Sequence, residues 1–379
     1  MSSEPTATSS RPAVCLAMIV RDEERVLERC IDSVSSLITH WIIVDTGSVD
    51  GTLHLIRKLL GHLPGELHSI EWPDDFAAAR NVVLARSRRF MSETSDGGGH
   101  LLFIDADDVI DGRSTSVVQR LIYDGTTSIY GALRDGNYSH QRLISAHLDA
   151  CVQWHGSRHE WLEFVPDAKA VYSGDVILHY GHDGYRRRNR SETLVADQNI
   201  LTPNIGVARD WRSAFYRGAT LEALGDEEAA KTTYLAALDL GLTAENRDQQ
   251  WQAAWGVARL SESGGAEEVA RASRVYAFMH ELYPDRAEAL LGLSRISLSR
   301  GAAEIAFELA DASFSMHQPT DALIFDWTAY GLRRCEQLVM AAKACGDRAY
   351  VQRALERCRA ASFDLAEASQ RDRLLKILE

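Results

Sequence analysis

Short, fully apolar runs alternate with helically spaced ones over the first hundred residues. Val14 to Val20 is continuous and apolar, the pattern of a strand buried on both faces. After Arg21-Asp22-Glu23-Glu24, apolar residues recur at Val26, Leu27, Cys30, Ile31, Val34, Leu37 and Ile38, which is helical spacing. Trp41 to Asp45 repeats the strand pattern. Thr46-Gly47-Ser48-Val49-Asp50-Gly51 carries helix-capping chemistry, and Leu53, Ile56, Leu59 and Leu60 continue as a helix. Leu67 to Trp72 is a weaker strand, Phe76 to Phe90 a helix, and Leu101 to Ile104 a fourth strand. This order predicts an α/β fold with a mostly parallel sheet covered by helices, and in such sheets ligands gather at the carboxyl ends of the strands.

From Pro203 the pattern changes to Ala, Leu, Glu and Arg with few β-branched runs. Gly225, Gly264, Gly301 and Gly346 mark variants of one helix-turn-helix junction, spaced by 39, 37 and 45 residues. Such periods predict an all-α domain of tetratricopeptide-like hairpins, each too small to hold a core unless it stacks on its neighbours. The chain therefore divides into a disordered N-terminus (1–12), an α/β domain (13–202) and a helical repeat domain (203–379). Solenoids of this kind serve as peptide-binding grooves, as the contact face of a homodimer, or as stabilising domains, and all three remain open at this point.

Composition narrows the functional classes. At 379 residues and 45% apolar content the chain can bury two ordinary cores. A net charge of −13 argues against nucleic acid as the main partner. Six scattered cysteines without a Cys-x-x-Cys pair indicate neither a zinc knuckle nor a disulfide framework, and read as reduced, structural thiols. The apolar run Val14 to Val20 is too short for a membrane span, Met1 to Pro12 does not resemble a signal peptide, and a cytoplasmic protein is expected.

The most informative chemistry is Asp105-Ala106-Asp107-Asp108, directly after the fourth strand. Two carboxylates on alternate residues at a sheet edge can hold a divalent cation, and a cation there can bind a diphosphate. An isolated Asp-x-Asp more often caps a strand or opens a turn. An EF-hand loop is excluded, because Val109 and Ile110 stand where a further oxygen ligand and the turn glycine are required. The clustering of Asp22, Asp45, Asp74, Asp75 and Asp105 to Asp108 at strand ends strengthens the ligand reading.

Four ordered blocks, Met18-Ile19-Val20-Arg21-Asp22-Glu23-Glu24, Val44 to Thr52, Asp75-Phe76-Ala77-Ala78-Ala79-Arg80-Asn81 and Ile104 to Asp108, together resemble family 2 glycosyltransferases of GT-A fold. More narrowly they resemble the bacterial branch with a helical-repeat tail, which includes peptide S-glycosyltransferases of glycocin pathways. The chain departs from that family at Asp22-Glu23, where Asn-Glu is usual, and at Asp108, where Glu is frequent. The resemblance implies that Asp22 and Asp45 contact the nucleotide, that Arg80 faces its base or phosphates, and that Asp105 sits by the ribose and the metal. It further implies Asp107 as the principal ligand of Mn²⁺ or Mg²⁺, with His179, at the end of an apolar run, as third ligand. Trp154-His155-Gly156-Ser157-Arg158-His159-Glu160-Trp161-Leu162 resembles the acceptor-side segment. An inverting transfer needs a base for the acceptor proton, and Glu160 is the first candidate and His159 the second; a hydrogen-bonded His159–Glu160 pair that positions a loop is the structural alternative. Arg186-Arg187-Arg188-Asn189-Arg190 reads as a solvated helix start with one or two arginines reaching the site.

The expected activity is metal-dependent transfer of a sugar from a nucleoside diphosphate sugar, UDP-linked, to a peptide or protein side chain. A glycan, lipid-linked or small-molecule acceptor is one alternative. A repeat scaffold with a degenerate GT-A domain is the other, against which the intact Asp105-Ala106-Asp107 speaks.

Overall fold

The computed structural model describes residues 12–95, 99–124, 129–134, 138–146, 152–162, 170–179, 181, 183–202, 211–240, 247–317, 326–361 and 365–376. Residues 1–11, most of the N-terminus expected to be disordered, and Cys151 lie outside this set. The chain divides into two compact units, Met1–Pro203 and Asn204–Glu379.

The first unit runs β1 (Val14–Val20), α1 (Leu27–Val34), β2 (His40–Asp45), α2 (Thr52–Leu60), β3 (Gly65–Ser69), α3 (Phe76–Thr94), β4 (His100–Phe103), β5 (Val109–Ile110), α4 (Gly112–Asp124), β6 (Ile129–Arg134), β7 (Tyr138–Ser145), β8 (Trp154–His155), β9 (Trp161–Leu162), β10 (Ala170–His179), α5 (Tyr185–Arg188) and α6 (Arg190–Leu201). The main sheet has the order β3-β2-β1-β4-β7-β6-β10-β5, and β8 pairs with β9 as a separate hairpin. Strands β1 to β4 pair in parallel, the half that the alternating pattern predicts. Beyond β4 the sheet is mixed, because β7 runs antiparallel to both β4 and β6.

The period of two along a strand explains why β1 is apolar throughout. Val14, Leu16, Met18 and Val20 pack with Leu27, Ile31 and Val34 of α1 and with Ile56 and Leu60 of α2. Cys15 and Ala17 share the opposite core with Val83 and Leu84 of α3. Helix α3 begins where Asp75 caps it, its side chain accepting a hydrogen bond from Ala78 N at 2.8 Å. That start aims the first turns of α3 at the carboxyl edge of the sheet.

The second unit is helical among its described residues: α7 (Trp211–Ala223), α8 (Glu227–Asp239), α9 (Arg247–Ser261), α10 (Ala266–Leu282), α11 (Ala287–Ser299), α12 (Ala303–Ala312), α13 (Leu332–Cys345), α14 (Arg348–Ala360) and α15 (Leu365–Leu375). Each helix from α7 to α14 packs on the next. Three of the four junction glycines are left-handed, with φ of 86° at Gly225, 77° at Gly301 and 69° at Gly346, where a side chain would be strained.

A repeated tie stitches the hairpins. The Tyr234 ring lies against Gly218 of α7 and Gly256 of α9, and a Cβ at either glycine would stand 2.6 Å from it. Its hydroxyl donates to Glu222 at 3.0 Å, and Arg259 pairs with the same carboxylate. One repeat later Tyr276 packs on Gly292 and donates to Glu262 at 2.5 Å, while Arg295 pairs with Glu262 at 2.6 Å. Arg259 is therefore an inter-repeat tie. The described cysteines, Cys15, Cys30, Cys335, Cys345 and Cys358, are not joined in disulfides. No helix among the described residues is long and apolar enough to cross a membrane.

Candidate active site

Loops at the carboxyl edge of the parallel strands are tied by carboxylates. Asp45, at the end of β2 and 3% exposed, accepts hydrogen bonds from Gly47 N and Ser48 N, each at 3.1 Å. These backbone amides use part of the acceptor capacity of the carboxylate that the resemblance directs at a nucleotide base, and through them Asp45 also caps the turn. Asp22 follows β1 in a left-handed conformation, φ 53°, tolerated by Asp better than by most residues. Its Oδ1 accepts from Val49 N at 2.7 Å and from Asp50 N at 3.3 Å, and its carbonyl accepts from Arg188 Nη2 at 2.7 Å. Asp22 thus joins the β1–α1 loop to the β2–α2 loop and to α5.

Arg80 is the centre of the site. It sits on the first turn-and-a-half of α3, 6% exposed, its guanidinium 5.1 Å above the Trp154 ring. Its Nη2 donates to Asp105 Oδ1 at 2.7 Å and its Nε to Glu160 Oε1 at 2.6 Å. The partners are neither Asp74 nor Asp75, the neighbours that helix-surface pairing would select. Burial alone would push the Glu160 carboxyl up, but Arg80 outweighs it and holds the group below the usual range. Asn81 fixes the β8–β9 hairpin that carries Glu160: its side chain accepts from Trp154 N at 2.8 Å and donates to Trp154 O at 2.9 Å. His159 is exposed and left-handed, φ 53°. The carboxylate of Glu160 meets Arg80, and the structure thus gives Glu160 a partner other than the His159 of the positional alternative.

Asp107 lies under the segment leading into α5. A Cβ on Gly184 would stand 2.7 Å from Asp107 Oδ2, so only glycine lets the chain pass so close. Arg29 binds Asp183 and, at 3.4 Å, the Asp107 carbonyl. Glu23 accepts the Tyr185 amide with both oxygens, at 3.1 and 3.0 Å. Burial pushes the Glu23 carboxyl up to about 7; the Tyr185 amide opposes this, and the negative charge of Asp107 adds to it. His179, at the end of β10, has Nε2 3.7 Å from Asp111 Oδ2 and a side chain 58% exposed. The carboxylate it meets is Asp111, because the β10–β5 pairing sets His179 opposite Val109. Among the described residues no group of three His, Cys, Asp or Glu side chains is gathered closely enough to hold a metal ion. The Asp105 and Asp107 carboxylates nevertheless suit a hard cation that takes one or two protein carboxylates and completes its shell with phosphate oxygens and water.

Sequence reasoning missed Asp197. This residue of α6 is 4% exposed and binds two arginines, Arg158 with Nη2–Oδ2 at 2.7 Å and Arg186 with Nη2–Oδ2 at 2.7 Å. Nothing local in Arg190–Leu201 distinguishes it from a solvent-facing Asp; the only signal was the arginine run just before the helix.

Comparisons with known proteins bear on the reaction class and on the repeats. A family model described as Glycosyl transferase family 2 matches residues 15–192. The N-terminal unit therefore carries a family 2 glycosyl transferase domain, and a helical-repeat unit follows it. A TPR repeat-containing protein of Synechococcus elongatus is 39% identical over 95 residues, which cover 25% of this chain and 20% of that protein. The SPbeta prophage-derived glycosyltransferase SunS of Bacillus subtilis is 28% identical over 160 residues, 40% of this chain and 35% of that protein. The solved structure of S. aureus TarS aligns at 12% identity with a TM-score of 0.34, covering 76% of this chain and 55% of that one. The chain spans about a third or less of the length of these two curated relatives.

Proposed function

We propose that the chain is an inverting glycosyltransferase that moves a sugar from a nucleoside diphosphate sugar, UDP-linked, to a peptide or protein side chain. The observation that carries this reading is the Asp105–Arg80–Glu160 array, which gathers a carboxylate of the Asp-x-Asp element and one from the acceptor-side hairpin onto one buried guanidinium. An array of this kind has charged groups fixed before substrate arrives, which is what stabilising a developing charge requires. In this reading Asp105 and Asp107 hold Mn²⁺ or Mg²⁺, with His179 as the proposed further ligand, and the cation when bound supplies charge neutralisation for the departing diphosphate. Asp22 and Asp45 shape the loops that receive the nucleotide. Glu160, held through Oε1, is the proposed acceptor base and His159 its alternate.

The match to family 2 and the similarity to SunS support glycosyl transfer as the reaction class. Incubation with a panel of nucleotide sugars and Mn²⁺ tests it, read as release of the nucleoside diphosphate. One sugar donor is expected to be turned over, and Asp107→Ala should abolish both turnover and metal-dependent donor binding with the fold intact. Unchanged metal-dependent donor affinity in that variant, measured by calorimetry, overturns the metal assignment. No turnover with any donor in the parent overturns the activity.

A further inference from the structure

Arg158 and Arg186 come from different elements, the β8–β9 turn and α5, yet both guanidiniums end on one buried carboxylate. Arg158 Nε lies 2.6 Å from Asp197 Oδ1, and Arg186 Nη2 donates to both oxygens of Asp197 at 2.8 and 2.7 Å. Both also lie over the Phe76 ring, at 4.4 and 5.2 Å from its centroid. Two positive charges therefore share one negative charge. Burial, and then repulsion from Arg158, pull the Arg186 guanidinium below its usual value. Among the described residues, Nη1 of neither arginine has a hydrogen-bond partner, and the Arg186 side chain is 36% exposed, so donors remain unspent on a face open to solvent. Glu160, two positions after Arg158, is close enough for its charge to act on Arg186. The pair is thus built beside the proposed reacting groups.

Paired guanidiniums with parallel N–H groups match the oxygens of a phosphate, which a planar fork can bind bidentately. A further anion relieves the like-charge crowding that Asp197, with Glu160 acting from beside it, leaves in place. We propose that Arg158 and Arg186 form a phosphate subsite and that Asp197 is the positioning residue that sets the two guanidiniums side by side. This deepens the transferase reading and rests on it for the source of the phosphate, which is either the distal phosphate of the nucleoside diphosphate or a phosphate carried by the acceptor.

The test uses the full chain with Mn²⁺ and calorimetric titration of UMP, UDP and inorganic phosphate. The variants are Arg158→Gln and Arg186→Gln, with Arg187→Gln, an exposed neighbour, as control. If the distal phosphate of the donor occupies the subsite, the parent and the control bind UDP at least about tenfold more tightly than UMP, and either glutamine variant erases most of that margin, a loss of about 1.4 kcal/mol per factor of ten. If the acceptor supplies it, inorganic phosphate binds the UDP-saturated parent, and either variant removes that binding while UDP affinity stays. The proposal is overturned if, in variants that melt like the parent, neither UDP nor phosphate affinity moves by more than about twofold. Should the glutamine variants fail to fold, Arg158→Lys and Arg186→Lys keep the charge, lose the planar fork and carry the same comparison. A parent that binds inorganic phosphate at this pair but no nucleotide defeats the transferase reading alone and leaves the subsite standing.

Discussion

Replacing Arg80 by Met removes the guanidinium that bridges Asp105 and Glu160 while keeping an unbranched side chain over the Trp154 ring. Deleting one partner of a buried pair strands the other charge, at a cost of about 3–5 kcal/mol. Only Glu160 is deeply enclosed, its side chain 12% exposed against 27% for Asp105, so the lower end, about 3 kcal/mol at pH 7.5, is expected. For a unit of this size that is roughly 6–12 °C in melting temperature. The pH dependence gives the sharper readout. In the parent, Glu160 titrates below its unfolded value, so it contributes stability above that value, lost as pH falls through the folded one. In Arg80→Met, burial acts unopposed and raises the folded value above the unfolded one, so stability is regained as pH falls. The difference between parent and variant, measured by urea denaturation from pH 5 to pH 8, should therefore shrink toward acid. A variant within about 1 kcal/mol of the parent at pH 7.5, or a difference flat across that range, would refute the view of Arg80 as the charge centre of the site.

Glu160→Gln should lower the single-turnover rate with little change in donor affinity, and a near-normal rate moves the base role to His159 or to the acceptor's own nucleophile. Glu23, whose carboxyl is pushed up to about 7, holds its proton more tightly folded than unfolded, so it makes stability fall as pH rises from about 4.5 to 7; Glu23→Gln should flatten the denaturation midpoint over that range, and an unchanged slope refutes the assignment. Gly256→Ala in the repeats drives a methyl into the Tyr234 ring, which Gly218 backs from the other side, and should destabilise the second unit by about 1–3 kcal/mol; a neutral effect in thermal melting refutes the packing argument. Arg259→Ala, which unties two repeats at Glu222, should lower the melting temperature of the second unit, and an unchanged melt would refute the tie.

Local periodicity made the elements of both units legible. β1 is apolar at every position because each of its faces meets a different core, and that pattern needs no partner to be recognised. The junction glycines were legible for a similar reason: a left-handed turn between helices selects glycine wherever it occurs, as at Gly225, Gly301 and Gly346. Strand pairing beyond β4 was not legible, since antiparallel β7 depends on which neighbour it meets and not on its own alternation. The candidate site divides along the same line. Asp105, Asp107, Arg80 and Glu160 were picked out as residue types at strand and helix ends, but their roles relative to one another depend on side-chain reach across 80 residues of chain, from Arg80 to Glu160. That His179 stands near Asp111 follows from the register of β10 on β5, which its own neighbours in sequence do not reveal. Asp197 carried no local signal at all. The sequence by itself determined which segments are strands, helices and turns, because those choices answer to spacings of two to four residues. Only the tertiary structure decided which charges neutralise which, because a buried ion takes its partner from whatever the packing brings within hydrogen-bond distance.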